Sequence, residues 1–100
     1  MSGGRKLTNA YLKEKMTDTM HHLGTAADAD LLRGMGCYAT ASNTLNIPPG
    51  FSNGVLEVIP RNSVEVFQRV TAWQGLKVAV RTGGSTTWNP WRIYEPTGTA

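Results

Sequence analysis

From Val64 to Thr82 apolar side chains recur at alternate positions, and this period of two commits the segment to extended structure. In "VEVFQRVTAW", Val64, Val66, Gln68, Val70 and Ala72 share one face, and Glu65, Phe67, Arg69, Thr71 and Trp73 the other. A Gln74-Gly75 turn follows. "LKVAVRT" then places Leu76, Val78, Val80 and Thr82 on one face, with Lys77, Ala79 and Arg81 opposite. Upstream, "VLEVIP" reads as a strand ended by Pro60. Gly83-Gly84-Ser85 supplies the next turn downstream, and "TWNPWRIYE" closes the run as a last strand or strand-like segment. A shorter strand is expected around Cys37 to Thr40, and "NTLNIPPGFSNG" after it is a loop. Its Pro48-Pro49-Gly50 is turn chemistry, and Asn53-Gly54 signals a hairpin or the start of a strand.

Short strands with tight turns predict a mainly β fold, a small antiparallel β-meander or sandwich-like knob. The expected core is Val55, Leu56, Val58, Ile59, Val66, Val70, Leu76, Val78, Val80 and Ile93. Before Gly24 the composition differs. "LTNAYLKEKMTDTMHHL" has no Gly or Pro and offers Thr8 as an N-cap, so it predicts an N-terminal α-helix. Leu12, Met16, Thr19 and Leu23 form a heptad-like stripe along it, too narrow to stabilise a lone helix. The helix either lies on its own domain or self-associates. This divides the chain into a helical stem or connector over 1–26 and a β domain over 27–100.

The totals exclude several classes. A chain of 100 residues is one domain with at most an arm attached. Its ten Lys and Arg residues give a net charge of only +3 and are scattered, unlike the stripe of a nucleic-acid binder. No segment reaches the roughly 18 apolar residues of a membrane span. The first residues lack the apolar stretch of a signal peptide. The single cysteine, Cys37, allows no intrachain disulfide and no cysteine zinc site. Folding in the cytoplasm is the expectation.

No catalytic constellation stands out, and no enzymatic activity is expected. His21 and His22 are adjacent, and neighbours on a helix point about 100° apart, so they cannot share one metal within a chain. One histidine per chain on a trimer axis is the remaining route to a metal, and solvated helix-end residues are the simpler reading. Asp28 and Asp30 resemble half a calcium loop but lack its further oxygens and closing Glu. No cofactor is implied. The aromatic residues remain, and with nearby Asn, Thr and Arg they can stack a sugar ring, anchor a partner or fill the core. Trp73, Tyr94 and Tyr38 are the candidate receptor contacts. Pro90 argues that Trp88 and Trp91 stand at a bend or an edge; in a plain strand they would face opposite ways.

Read in order, "LGTAADADLLRGMGCYATASNTLNIPPGFSNGVLEVIP" and "LKVAVRTGGSTTWNPWRIYEP" resemble the knob domain of bacteriophage tail fibres and R-type pyocins. The resemblance runs from Ala27 to Pro96 and rests on Gly36 and Tyr38, Pro49-Gly50, Asn53-Gly54, Leu56, Val58 and Ile59. Its terminal signature is matched by Val80-Arg81-Thr82, Gly83, Trp88, Trp91, Arg92 and Ile93. Cys37 intervenes in the opening pair, Pro90 stands where a small residue is usual, and the chain is far shorter than a complete fibre. The resemblance implies a homotrimeric virion structural module on a fibre that meets the bacterial surface, with other tail-fibre or baseplate proteins as partners, and it leaves open whether the knob itself binds the receptor or only spaces and trimerises. It makes Trp88, Trp91, Arg92, Gly83, Asn53 and Gly54 a structural signature, with Arg92 stacked or paired across the last strand. A carbohydrate-binding adhesin for bacterial surface glycan is the alternative.

Overall fold

The structure, a computed structural model, describes residues 22–98. Six strands form one sheet in sequence order: β1 (His22–Thr25), β2 (Gly36–Ala39), β3 (Gly54–Pro60), β4 (Val66–Ala72), β5 (Val78–Gly83) and β6 (Arg92–Tyr94). From β2 to β6 every pairing is antiparallel, as a meander requires. β1 departs from this plan and runs parallel to β2. Parallel neighbours need a crossover. Here it contains a single 3-10 turn, Ala29–Leu31, laid over one face of the sheet.

The N-terminal helix expected over 7–23 lies outside the described residues, apart from its last two positions. Those two, His22 and Leu23, stand in β1, so the sheet begins inside the segment assigned to a stem. Among the described residues the only helical element is that 3-10 turn. Asp28 starts it, its Oδ1 accepting from the Asp30 N–H at 2.9 Å and from Asn46 Nδ2 at 2.8 Å.

The core lies between the sheet and a layer of irregular chain. Leu56, Val58, Val66, Val70, Ala72 and Ala79 face inward from the strands, and Ala26, Ala29 and Phe51 meet them from the covering layer. Four alanines among these nine let backbone approach the sheet closely. Two threonines tie the cover down. Thr40 Oγ1 donates to the Phe51 carbonyl at 2.6 Å and accepts from the Gly54 N–H, while Thr44 Oγ1 donates to the Ala26 carbonyl at 2.6 Å.

Several expected core residues fall elsewhere, each for a local reason. Val55 and Ile59 alternate onto the opposite face of β3, half-buried and exposed respectively. Val64 is not in β4, because Asn62 Oδ1 captures the N–H groups of Val64 and Glu65 in a side-chain turn. Leu76 is 67% exposed; it completes the turn after Gly75 with a positive φ of 51°, so β5 starts two residues later. Val78 and Val80 lie on the uncovered face of β5, since Ala79 and Arg81 take the covered one. Ile93 is exposed on the three-residue edge strand β6.

Gly54 opens β3 where only glycine fits: an added Cβ would collide with the Thr71 carbonyl oxygen on the neighbouring strand. Gly54→Ala should therefore lose about 1–3 kcal/mol of stability. At Gly34 an added Cβ meets nothing within 4 Å, and Gly34→Ala should stay within about 0.5 kcal/mol. Urea unfolding of the two variants checks the contrast.

Candidate functional site

β4 and β5 each place a polar side chain where alternation demands an apolar one. Gln68 and Arg81 are register partners on the covered face, and both are buried. Unpaired, each would be costly there. Arg81 Nε donates to Gln68 Oε1 at 2.9 Å, and Gln68 Nε2 donates to the carbonyls of Ala29 and Leu32, both at 2.8 Å. The far side of the guanidinium meets Asp30 of the crossover, Nη2 to Oδ1 at 3.0 Å. Those two atoms are buried and lie outside hydrogen-bonding angles, so they meet as charges. Burial holds Arg81 below the usual arginine range, while Asp30 acts against that shift.

The planar surfaces of Arg81 are also occupied. Its guanidinium carbon lies 3.9 Å from the Trp88 ring centre and 4.4 Å from that of Trp91. Arg33 lies over Trp88 as well, at 4.5 Å, and its Nη1 donates to the Gly84 carbonyl. Each indole is fixed at its polar edge: Trp88 Nε1 donates to the Asp30 carbonyl at 3.2 Å, and Trp91 Nε1 to the Asn46 carbonyl at 3.0 Å. Gly83 forms the floor, where an added Cβ would lie 2.5 Å from Trp88 Cε3. Trp88 and Trp91 thus both spend a ring face on Arg81, and both stay partly buried. Both indoles reach one guanidinium because the segment between them is irregular at Pro90, not a plain strand.

The stacked arginine is Arg81 and not Arg92. Arg92 is exposed on β6, on the opposite face, where it lines an open groove of about 360 Å³ with Phe67, Thr82, Asn89 and Pro90. Asn53 accepts from the Trp73 N–H at 2.8 Å through its carbonyl, joining the start of β3 to the end of β4. The three candidate receptor contacts do not converge. Trp73 and Tyr94 are 69% and 58% exposed toward the uncovered face, whereas Tyr38 packs against the core from the covered one. Of the proposed stem stripe, Leu12, Met16 and Thr19 lie outside the described residues, and Leu23 is in β1. His22 is exposed there, its Nδ1 accepting from the Gly24 N–H at 3.3 Å.

Asp30, Arg33, Gln68 and Arg81 were not singled out as a site by sequence reasoning. The available signal was Gln68, a polar residue inside the apolar series Val66, Val70, Ala72; a buried amide requires partners. Arg81→Ala should cost about 3–5 kcal/mol, since it leaves Asp30 and Gln68 facing an empty space. Arg81→Lys should cost about 1–3 kcal/mol, because an ammonium keeps the charge but not the planar stack. Asp30→Asn should cost about 1–2 kcal/mol, because it leaves the buried Arg81 charge without its counter-ion while the Asp30 side chain itself is 40% exposed. Urea midpoints of the three variants test this order.

No protein-family model and no curated protein matches the sequence. Among solved structures the chain is similar to an N-truncated R2-type pyocin tail fibre, with 26% identity and a TM-score of 0.63. The match covers 73% of this chain and 31% of the fibre chain, so the domain spans less than a third of that protein. With its single sheet, and a cover stapled through Arg81, the chain is a domain similar to those of phage and pyocin tail fibres.

Proposed function

We propose that the chain is a structural module of a phage or phage-derived tail fibre, a knob that assembles as a homotrimer near the end that attaches to the host. The observation that carries this reading is the likeness to the pyocin fibre over 73% of the chain. The filled surroundings of Arg81 agree with a structural role for the Trp88 and Trp91 signature. The module works without catalysis. Its partners are copies of itself and other tail-fibre or baseplate proteins, and its location is the virion tail.

A second reading, a carbohydrate-binding adhesin for bacterial surface glycan, is favoured by the exposure of Trp73 and Tyr94 on one face. Exposed aromatic rings with polar neighbours are a platform for sugar rings.

Sedimentation equilibrium of the whole chain tests the first reading. The expected mass at micromolar concentration is three times the 10.9 kDa of one chain; a single-chain mass would count against it. The second reading is tested by host-cell binding of Trp73→Ala and Tyr94→Ala. Lost binding with the fold intact would favour it, and unchanged binding would remove its support.

A further inference from the structure

The sheet has one face without a cover among the described residues. The covering layer, the core and the Arg81 stack all lie on the other side. An antiparallel sheet can leave one face to water when that face is polar. This one is not. Val55, Phe67, Val78 and Val80 are half-buried across its middle, and Trp73 and Tyr94 are exposed at one end. With strands about 4.8 Å apart and about 3.3 Å per residue, six strands of this length project about 500 Å². Glu57, Arg69, Thr71, Thr82 and Arg92 share that area with the apolar side chains.

We infer that this open sheet face is the surface by which copies of the chain pack against one another. The inference rests on the trimeric reading above and adds to it the surface involved. Charge selects the occupant. The charged residues in the middle of the face, Glu57 and Arg69, neutralise each other at 2.7 Å, and Arg61 and Glu65 do the same at 2.8 Å near one end. A strongly acidic or basic partner finds only Arg92 to address. A largely apolar surface whose central charges cancel is matched by another copy of itself, which brings the same apolar strands and, apart from Arg92, no uncompensated charge. Three copies with these faces turned toward a shared axis would cover one another.

Sedimentation of the full chain carrying Val78→Lys and Val80→Lys tests the surface, with Leu31→Lys as the control. Leu31 is 77% exposed on the covering layer, away from this face. Near-UV circular dichroism of the partly buried Trp88 and Trp91 reports whether each variant folds. The expected result is a trimer for the unsubstituted chain and for Leu31→Lys, and a folded single chain for the double variant. Should the double variant unfold, Thr71→Lys replaces it, since it puts a charge on the same face between Val55 and Val78, at a position already polar. A face variant that folds and stays trimeric overturns the inference and leaves the trimeric reading standing, with residues 1–21 as the next place to look. An unsubstituted chain that sediments as a single copy overturns both.

Discussion

A guanidinium taken out of water must have every side answered, and Arg81 is answered by three separate stretches of chain, with a fourth holding one of them in place. Gln68 comes from the adjacent strand, Asp30 from the crossover, and Trp88 and Trp91 from the segment after β5. Asn46, from the long loop before β3, holds Trp91 in place. Contacts between residues so distant in sequence organise a cover that has little regular structure of its own. Four alanines in a nine-residue core bury modest area, so a polar network of this kind supplies what the core lacks in specification. Removing one member leaves the others buried and unpaired, so the cost is greatest at Arg81, which Gln68, Asp30 and both indoles all meet, and smaller at half-exposed Asp30.

The order of the antiparallel strands was legible because period-two alternation and tight turns are local signals. The two faces of β4 were legible for the same reason. The choice of face on β5 was not. Alternation gives two faces, and ordinary hydrophobicity favours Leu76, Val78 and Val80 over Ala79 and Arg81. The structure takes the second set, because Arg81 has partners that only the folded chain brings near. β1 was hidden for a different reason: parallel pairing through a crossover leaves no turn signature, and "HLGT" at the end of a helix-like run carries no alternation of its own. The aromatic signature was visible as residue types. Its arginine was placed at Arg92, next to Trp91 in sequence, while the space beside the indoles belongs to the register partner of Gln68.

The two faces of the sheet have different chemistry. One is closed by the cover that the Arg81 staple holds. The other is apolar, neutral across its middle and uncovered among the described residues. On the trimeric reading proposed above, the second face is the one left for neighbouring copies. The likeness to a pyocin fibre chain, of which this domain spans 31%, fits such a role for one unit within a longer structure.

The most direct measurement is a nitrogen-15 NMR spectrum of the arginine side chains. Enclosure between two indoles should move the Arg81 Nε–H proton far upfield by ring current, and its bond to buried Gln68 should slow its exchange with water. A single shifted, slowly exchanging Nε–H that disappears in Arg81→Lys is the expected result. Arginine signals that all fall together and exchange rapidly would contradict the staple on which the cover depends.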